Sequence, residues 1–257
     1  LKVQDTYYVE GSILNQYSLD EYDGFLRVVT TNVESILHEE TNGETAHAYF
    51  ERLPNNASLY CISLSTGDIW SSVERFAPDG ETVQSVRFDK DTAYVCTSLV
   101  LQDPVFFFDL SDVDNITYKD TGTIPGYSMS LVDFADGFLL GIGYGDDFND
   151  LKIEIYREGE NSIESHCKYQ RRCGFSPDYK SYYIDRENRL IGLGLEDYND
   201  GTSRYLLLFF DGYELIPIMD VELNGINEYK RAVYIDEYLY MFGDSFRVMD
   251  PSNANRK

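Results

Sequence analysis

Three observations in the 257-residue chain predict an all-β fold built from repeats. Apolar residues do not recur at the three-and-four spacing of an amphipathic helix over any useful window. Short runs rich in Val, Ile, Tyr, Phe and Thr recur instead, bounded by Asp, Gly and Asn. A polar turn, usually opened by Asp, also follows an apolar pair at positions 20, 89, 135, 185 and 236, each time leading into a new apolar strand. Those positions are 69, 46, 50 and 51 residues apart, so all but the first interval are close to 50. A unit of that length holding four short strands has the size and content of a propeller blade. The expected architecture is a β-propeller of four-stranded antiparallel blades, five of them in this chain.

Each unit opens on the Asp-led hairpin, because Asp can hydrogen-bond the backbone of its own turn. A third strand is expected at residues 59–63, 105–109, 151–156, 205–211 and 246–250. A more polar fourth strand is expected at 69–76, 116–124, 163–169 and 215–223. Blades thus fall near 15–76, 81–124, 127–169, 179–223 and 229–250, within a single domain over 1–257. The fifth unit stops at its third strand, while residues 3–9 form a spare strand of polar and aromatic character. One blade assembled from both ends of the chain closes the ring and hides its edges. A closed disc of this kind is expected to be a monomer. The first unit also carries an acidic insertion over 32–56, with Glu34, Glu39, Glu40, Glu44 and Glu51 beside His38 and His47. A loop this long is usually functional or disordered, and with no partner ligand visible it reads as disorder or simple decoration between the second and third strands.

Composition narrows the function classes. The 45 Asp and Glu against 21 Lys and Arg give a net charge of −24, which repels nucleic acid and anionic lipid. No apolar run approaches the 18 or so residues of a membrane helix, so no membrane insertion is expected. Three His are too few for a His-rich metal enzyme. Cys61 and Cys96 sit in apolar strand patterns and read as small buried hydrophobes, whereas Cys167 and Cys173 lie in a polar stretch where a disulfide is conceivable.

Units three and four share a tetrapeptide at the same place, between second and third strands: Asp147-Phe148-Asn149-Asp150 and Asp197-Tyr198-Asn199-Asp200. Asp103 and Asp244 are expected in the same loops of units two and five. In propellers these loops open on the usual ligand face. Carboxylates and an Asn carbonyl are hard oxygen donors, so Asp147, Asp150, Asp197 and Asp200 are candidate Ca²⁺ ligands, although no cofactor is required. An aromatic ring beside acids equally suits a sugar ring or a peptide. The plainer reading is that Asp and Asn are good turn residues and the rings pack on their loops.

Catalysis is the alternative to binding, as a glycosidase-like propeller with paired carboxylates. The acids sit mostly in hairpin turns, however. The inner strands expected to line a channel carry Gln16, Tyr17, Arg87, Tyr182 and Arg231, which offer little general acid or base chemistry. No nucleophile elbow, phosphate loop or Cys/His pair is present. The expected function is non-catalytic binding of a protein or glycan partner.

Several stretches resemble secreted bacterial proteins with a C-terminal β-propeller domain of unknown function. They are residues 10–22, residues 80–88 ending in Ser85-Val86-Arg87-Phe88, Asp103-Pro104 leading into Phe108-Asp109-Leu110-Ser111-Asp112, Ile124-Pro125-Gly126-Tyr127-Ser128, and Leu140-Gly141-Ile142-Gly143. The likeness covers residues 10–160. It implies a secreted or cell-surface protein, with further propeller sequence N-terminal to this region in most members. Where the family commonly has Leu-His-Pro, this chain has Leu131-Val132-Asp133, so any role of that His is absent here.

Overall fold

The computed structural model describes residues 5–42, 45–99, 102–125, 127–145, 147–159, 163–223, 229–243 and 246–250. Strands make up nearly all of the regular structure, with two short 3-10 turns and no α-helix among the described residues. The chain divides into two units, Leu1–Ile124 and Pro125–Lys257.

The first unit holds the first two repeats. Repeat one is the sheet β1 (Leu19–Tyr22), β2 (Phe25–Asn32), β5 (Asn56–Ser63), β6 (Ile69–Val73), in that order across the sheet. The β1–β2 turn is Asp23-Gly24, both at positive φ (49° and 81°), the two-residue geometry whose twist matches flanking strands. The insertion forms a hairpin of its own, β3 (Ser35–Asn42) and β4 (Thr45–Arg52). Repeat two is β7 (Thr82–Asp89), β8 (Thr92–Ser98), β9 (Gln102–Asp109), β10 (Thr117–Pro125). Their shared core includes Val29, Leu59, Phe76, Val86, Val95, Phe106 and Phe108. At about 1.5–3 kcal/mol for each large apolar side chain removed from water, this packing is what holds the two sheets together. Buried Arg27 reinforces it. Its guanidinium pairs with Asp20, lies 5.0 Å over Phe88 of repeat two, and donates to the Lys90 carbonyl.

The second unit holds the other three repeats. Repeat three is β11 (Tyr127–Ala135), β12 (Phe138–Tyr144), β13 (Asp150–Glu158), β14 (Ile163–Phe175). Repeat four is β15 (Tyr183–Asp185), β16 (Leu190–Asp197), β17 (Ser203–Phe210), β18 (Leu215–Glu222). Repeat five is β19 (Tyr229–Ile235), β20 (Tyr238–Gly243), β21 (Phe246–Met249). Period-two alternation sends Leu151, Ile153 and Ile155 of β13 into a core with Ile191, Leu193, Leu206 and Leu208. The opposite side of the same strand buries a polar set. Glu154 pairs with Lys152 at 3.4 Å and accepts hydrogen bonds from Tyr156 (2.9 Å) and Ser165. A further core, with Leu207, Met219, Leu239 and Met241, joins repeats four and five.

Two expectations need correction. Residues 5–9 form no strand, and β21 pairs only with β20, so the shared closing blade is not formed by the described residues; positions 3 and 4 lie outside them. With only four residues, β21 offers a short ladder. The third and fourth repeats do not part at residue 169. β14 runs on to Phe175, and its last three residues pair with β16 (Cys173↔Asp197, Phe175↔Leu195), forming the first part of repeat four's inner edge. Cys167 and Cys173 are both free. Six positions apart on one strand, they are separated by about 20 Å, beyond disulfide reach.

Candidate functional site

The two matched tetrapeptides share one Asx contact, although the first closes by Asp150 N–H to the Asp147 carbonyl and the second by Gly201 N–H to the Asp197 carbonyl. Asp147 Oδ1 accepts from the Asn149 backbone N–H (3.0 Å) and from Asn149 Nδ2 (2.8 Å). Asp197 Oδ1 accepts from the Asn199 backbone N–H and Nδ2, both at 2.9 Å. Each Asp thus spends one oxygen closing its own turn, as the plainer reading of these residues has it. The tips are anchored behind: Gly145 N–H bonds the Asp150 carbonyl, Cys173 N–H bonds the Asn149 carbonyl, and Gly201 N–H bonds the Asp197 carbonyl. Asp200 accepts from the Thr202 hydroxyl (2.6 Å) and backbone N–H (2.9 Å), which hold its carboxyl below the usual range.

These turns lift two rings outward. Phe148 is 53% exposed and Tyr198 is 49% exposed, each at the second position of its tetrapeptide. Tyr144 packs against the first of them. Its ring lies 5.7 Å from Phe148, edge to face, and 4.7 Å from Phe175 at the end of β14. Burial raises the Tyr144 phenol, and nearby Tyr198 adds to the shift. A Cβ on Gly174 would lie 3.1 Å from the Tyr198 hydroxyl and 3.4 Å from Glu196 Cβ, so a bare strand position lets the ring settle. The result is an aromatic surface of Tyr144, Phe148, Phe175 and Tyr198 across two neighbouring repeats, rimmed by Asp147, Asp200 and Glu196.

Asp197 faces a different task. Its second oxygen receives Arg171 Nη2 at 2.5 Å, while Arg171 Nη1 reaches Asp220 at 2.7 Å and Arg204 Nε closes on Asp220 at 2.7 Å. The Asn199 backbone N–H, then Arg171, hold the Asp197 carboxyl below its ordinary value. Burial alone would lower the Arg171 guanidinium, but hydrogen bonds to Asp197 and Asp220 raise it.

Of the other expected residues, Asp103 lies on β9 rather than in a loop, and Asp244 lies outside the described residues. Gln16 and Tyr17 belong to a 3-10 turn, Gln16–Ser18, capped by Asn15, not to an inner strand. Tyr182 is buried directly after a second such turn, Tyr179–Ser181, capped by Asp178. The two turns interrupt the inner edges of repeats one and four in the same way, each ending on a buried Ser (Ser18, Ser181). Arg87 is buried against Asp89 (3.1 Å) and Tyr94, and Arg231 is exposed on β19. Gln16, Tyr17 and Arg87 belong to the first unit, and Tyr182 and Arg231 to the second. Among the described residues, no three or more His, Cys, Asp or Glu side chains converge as a metal site would require. Sequence reasoning missed Tyr144, Arg171, Gly174 and Phe175. For Arg171 and Phe175 the signal was the period-two run Tyr169, Arg171, Cys173, Phe175, which carries the strand past residue 169.

Comparison with known proteins supports a β-propeller domain. Over 256 residues the chain is 28% identical to an uncharacterized protein of Methanocaldococcus jannaschii, covering 95% of this chain and 36% of that one. An uncharacterized protein of Archaeoglobus fulgidus is 27% identical over 239 residues, covering 91% and 33%. The chain thus spans about a third of the length of these curated relatives, and both are archaeal, whereas the resemblance pointed to bacteria. Among solved structures it is similar to Porphyromonas gingivalis dipeptidyl peptidase 4, with a TM-score of 0.50 at 10% identity over 85% of this chain and 32% of that one. At that identity the likeness speaks for the fold alone. The beta propeller domain model matches residues 1–159, more than half the chain, and the protein therefore belongs to the beta propeller domain family.

Proposed function

We propose that this chain is a non-catalytic binding module, secreted or displayed at the cell surface, that holds a protein or glycan partner on its second-to-third-strand loops. One observation carries the reading: Phe148 and Tyr198 stand half exposed at matching places in the loops of adjacent repeats, with Tyr144 packed against Phe148. Two exposed rings on neighbouring loops of one unit supply the apolar surface that a binding face needs. Flat aromatic faces beside carboxylates suit the C–H face and hydroxyls of a sugar, or a peptide side chain. Commitment of the Asp147 and Asp197 oxygens to their own turns and to Arg171 favours binding over general acid–base work. Location outside the cell rests on the family resemblance. The ring is proposed to hold five blades, with β21 as the edge at which it closes.

A glycan array and a peptide library, probed with the wild-type chain and with Phe148→Ala/Tyr198→Ala, test this reading. A saturable ligand that the double variant loses at least tenfold, at unchanged melting temperature, is the expected result. A ligand bound equally by both proteins overturns it.

A further inference from the structure

We propose that the β3–β4 hairpin of the first unit is a second, separate docking element, which takes up an extended basic polypeptide segment as a third strand. The hairpin stands as a sheet of its own, paired without a register shift from Ser35↔Arg52 to Asn42↔Thr45. Its base is fixed by Leu53 N–H to the Glu34 carbonyl (3.0 Å) and by the Glu34–Arg75 ion pair (3.6 Å). Pairing alternation sorts its side chains onto two faces. One face is acidic and mixed: Ile36 and Glu40 flank His38, which bonds Glu51 at 2.7 Å and stacks on Tyr49 at 5.0 Å. The other presents Leu37 and Phe50 directly opposite each other, 48% and 72% exposed, with Glu39 and Ala48 beside them. Neither Leu37 nor Phe50 belongs to a buried core.

A two-stranded ribbon that exposes an apolar pair is only marginally stable by itself and gains from a third strand. Both of its long edges are unpaired among the described residues. The usual protections of a free edge are missing, since neither strand contains Lys or Pro and the ladder has no bulge. Acid alone guards it: Glu39, Glu40 and Glu51 stand on the two strands against Arg52, while Glu34 at the base is paired with Arg75. In a chain of net charge −24, that guard repels a second copy of the same chain and attracts a basic strand. The main chain of such a strand would complete the ladder. Its apolar residues would cover Leu37 and Phe50, and the alternate Lys or Arg would meet Glu40 and Glu51 on the opposite face.

The probe is a fluorescein-labelled Lys-Val-Lys-Val-Lys-Val-Lys peptide, followed by anisotropy on the intact chain. Asn32 and Asn56 are the last pair of the β2–β5 ladder, so residues 33–55 can be replaced there by an Asn-Gly turn. The proposal expects saturable binding that falls at least tenfold in this excised variant, and at least fivefold in Leu37→Thr/Phe50→Thr. It also expects no binding of a peptide with the same charge whose alternate amides are N-methylated. If the excised variant does not fold, the Leu37→Thr/Phe50→Thr protein decides alone. Equal affinity in the variants, equal binding of the N-methylated peptide, or a hairpin-dependent dimer in sedimentation overturns the proposal. The aromatic loops of the second unit are untouched by these changes, so their ligand binding is read independently.

Discussion

Arg171 Nη2 meets Asp197 Oδ2 at 2.5 Å, tying the outer strand of the third repeat to the end of the second strand of the fourth. The same Asp197 closes the turn that presents Tyr198. One carboxylate therefore links the packing of two repeats to the shape of the candidate site.

Replacing Arg171 by Met should cost about 2–4 kcal/mol, because it leaves the largely buried Asp197 carboxylate without its cation, while Asp220 keeps Arg204. The loss should be visible as a lower denaturant midpoint. The sign with pH follows from the depressed Asp197 carboxyl. A group held below its unfolded value, about 3.9, stabilises the fold above that pH, and the contribution disappears as pH falls through the folded value. Wild-type stability should drop below about pH 4, and the Met variant should show a shallower drop.

Gly192 cannot carry a side chain, because its Cβ would lie 2.4 Å from the Tyr205 hydroxyl. Gly192→Ala is expected to destabilise by about 1–3 kcal/mol. That hydroxyl is buried and has no hydrogen-bond partner among the described residues, so Tyr205→Phe should be neutral or stabilising. The double variant should recover part of the Gly192→Ala loss. A double variant no more stable than Gly192→Ala alone would place the strain elsewhere.

Glu237 sits at φ 71° in the two-residue turn Asp236-Glu237, a conformation that suits glycine. Glu237→Gly should relieve about 0.5–1 kcal/mol of strain, raising the melting temperature by about 1–4 °C. A lower melting temperature would contradict this.

Repeat length, hairpin positions and most strand cores were legible because they rest on local chemistry. Asp23-Gly24 and Asp236-Glu237 mark their turns in two residues, and Val, Ile and Phe mark the strands. The two tetrapeptides were legible for the same reason, since an Asx turn is a property of its own four residues. What lay beyond the sequence depends on pairing over distance. The extension of β14 to Phe175 exists because Cys173–Phe175 find β16, and the placement of Arg171 against Asp197 follows from that pairing across 26 residues. The hairpin β3–β4 is hard to read from sequence because its strands mix polar and apolar residues on both faces, which weakens the period-two signal.

Thiol chemistry gives a further check. Burial pushes Cys173 up to about 12 and Cys167 up to about 11, in both cases as the leading cause, and Cys61 is raised in the same way. With so little thiolate at pH 8, the native protein should react with Ellman's reagent far more slowly than the unfolded chain, which should release four equivalents. Fewer than four in the unfolded state would reveal a disulfide and contradict the free-thiol assignment.

Melting curves in calcium and in EDTA should coincide, because the turn oxygens of Asp147 and Asp197 are already taken by Asn149 and Asn199. A calcium-dependent rise that Asp147→Ala removes would show instead that these loops open to bind the ion.

Hydrogen–deuterium exchange with and without the strongest ligand from the glycan and peptide screens tests the central claim most directly. The account predicts protection concentrated at residues 144–150 and 196–202, the two turns that carry Phe148 and Tyr198. Protection confined to other segments, with both turns exchanging as fast as in the free protein, would contradict it.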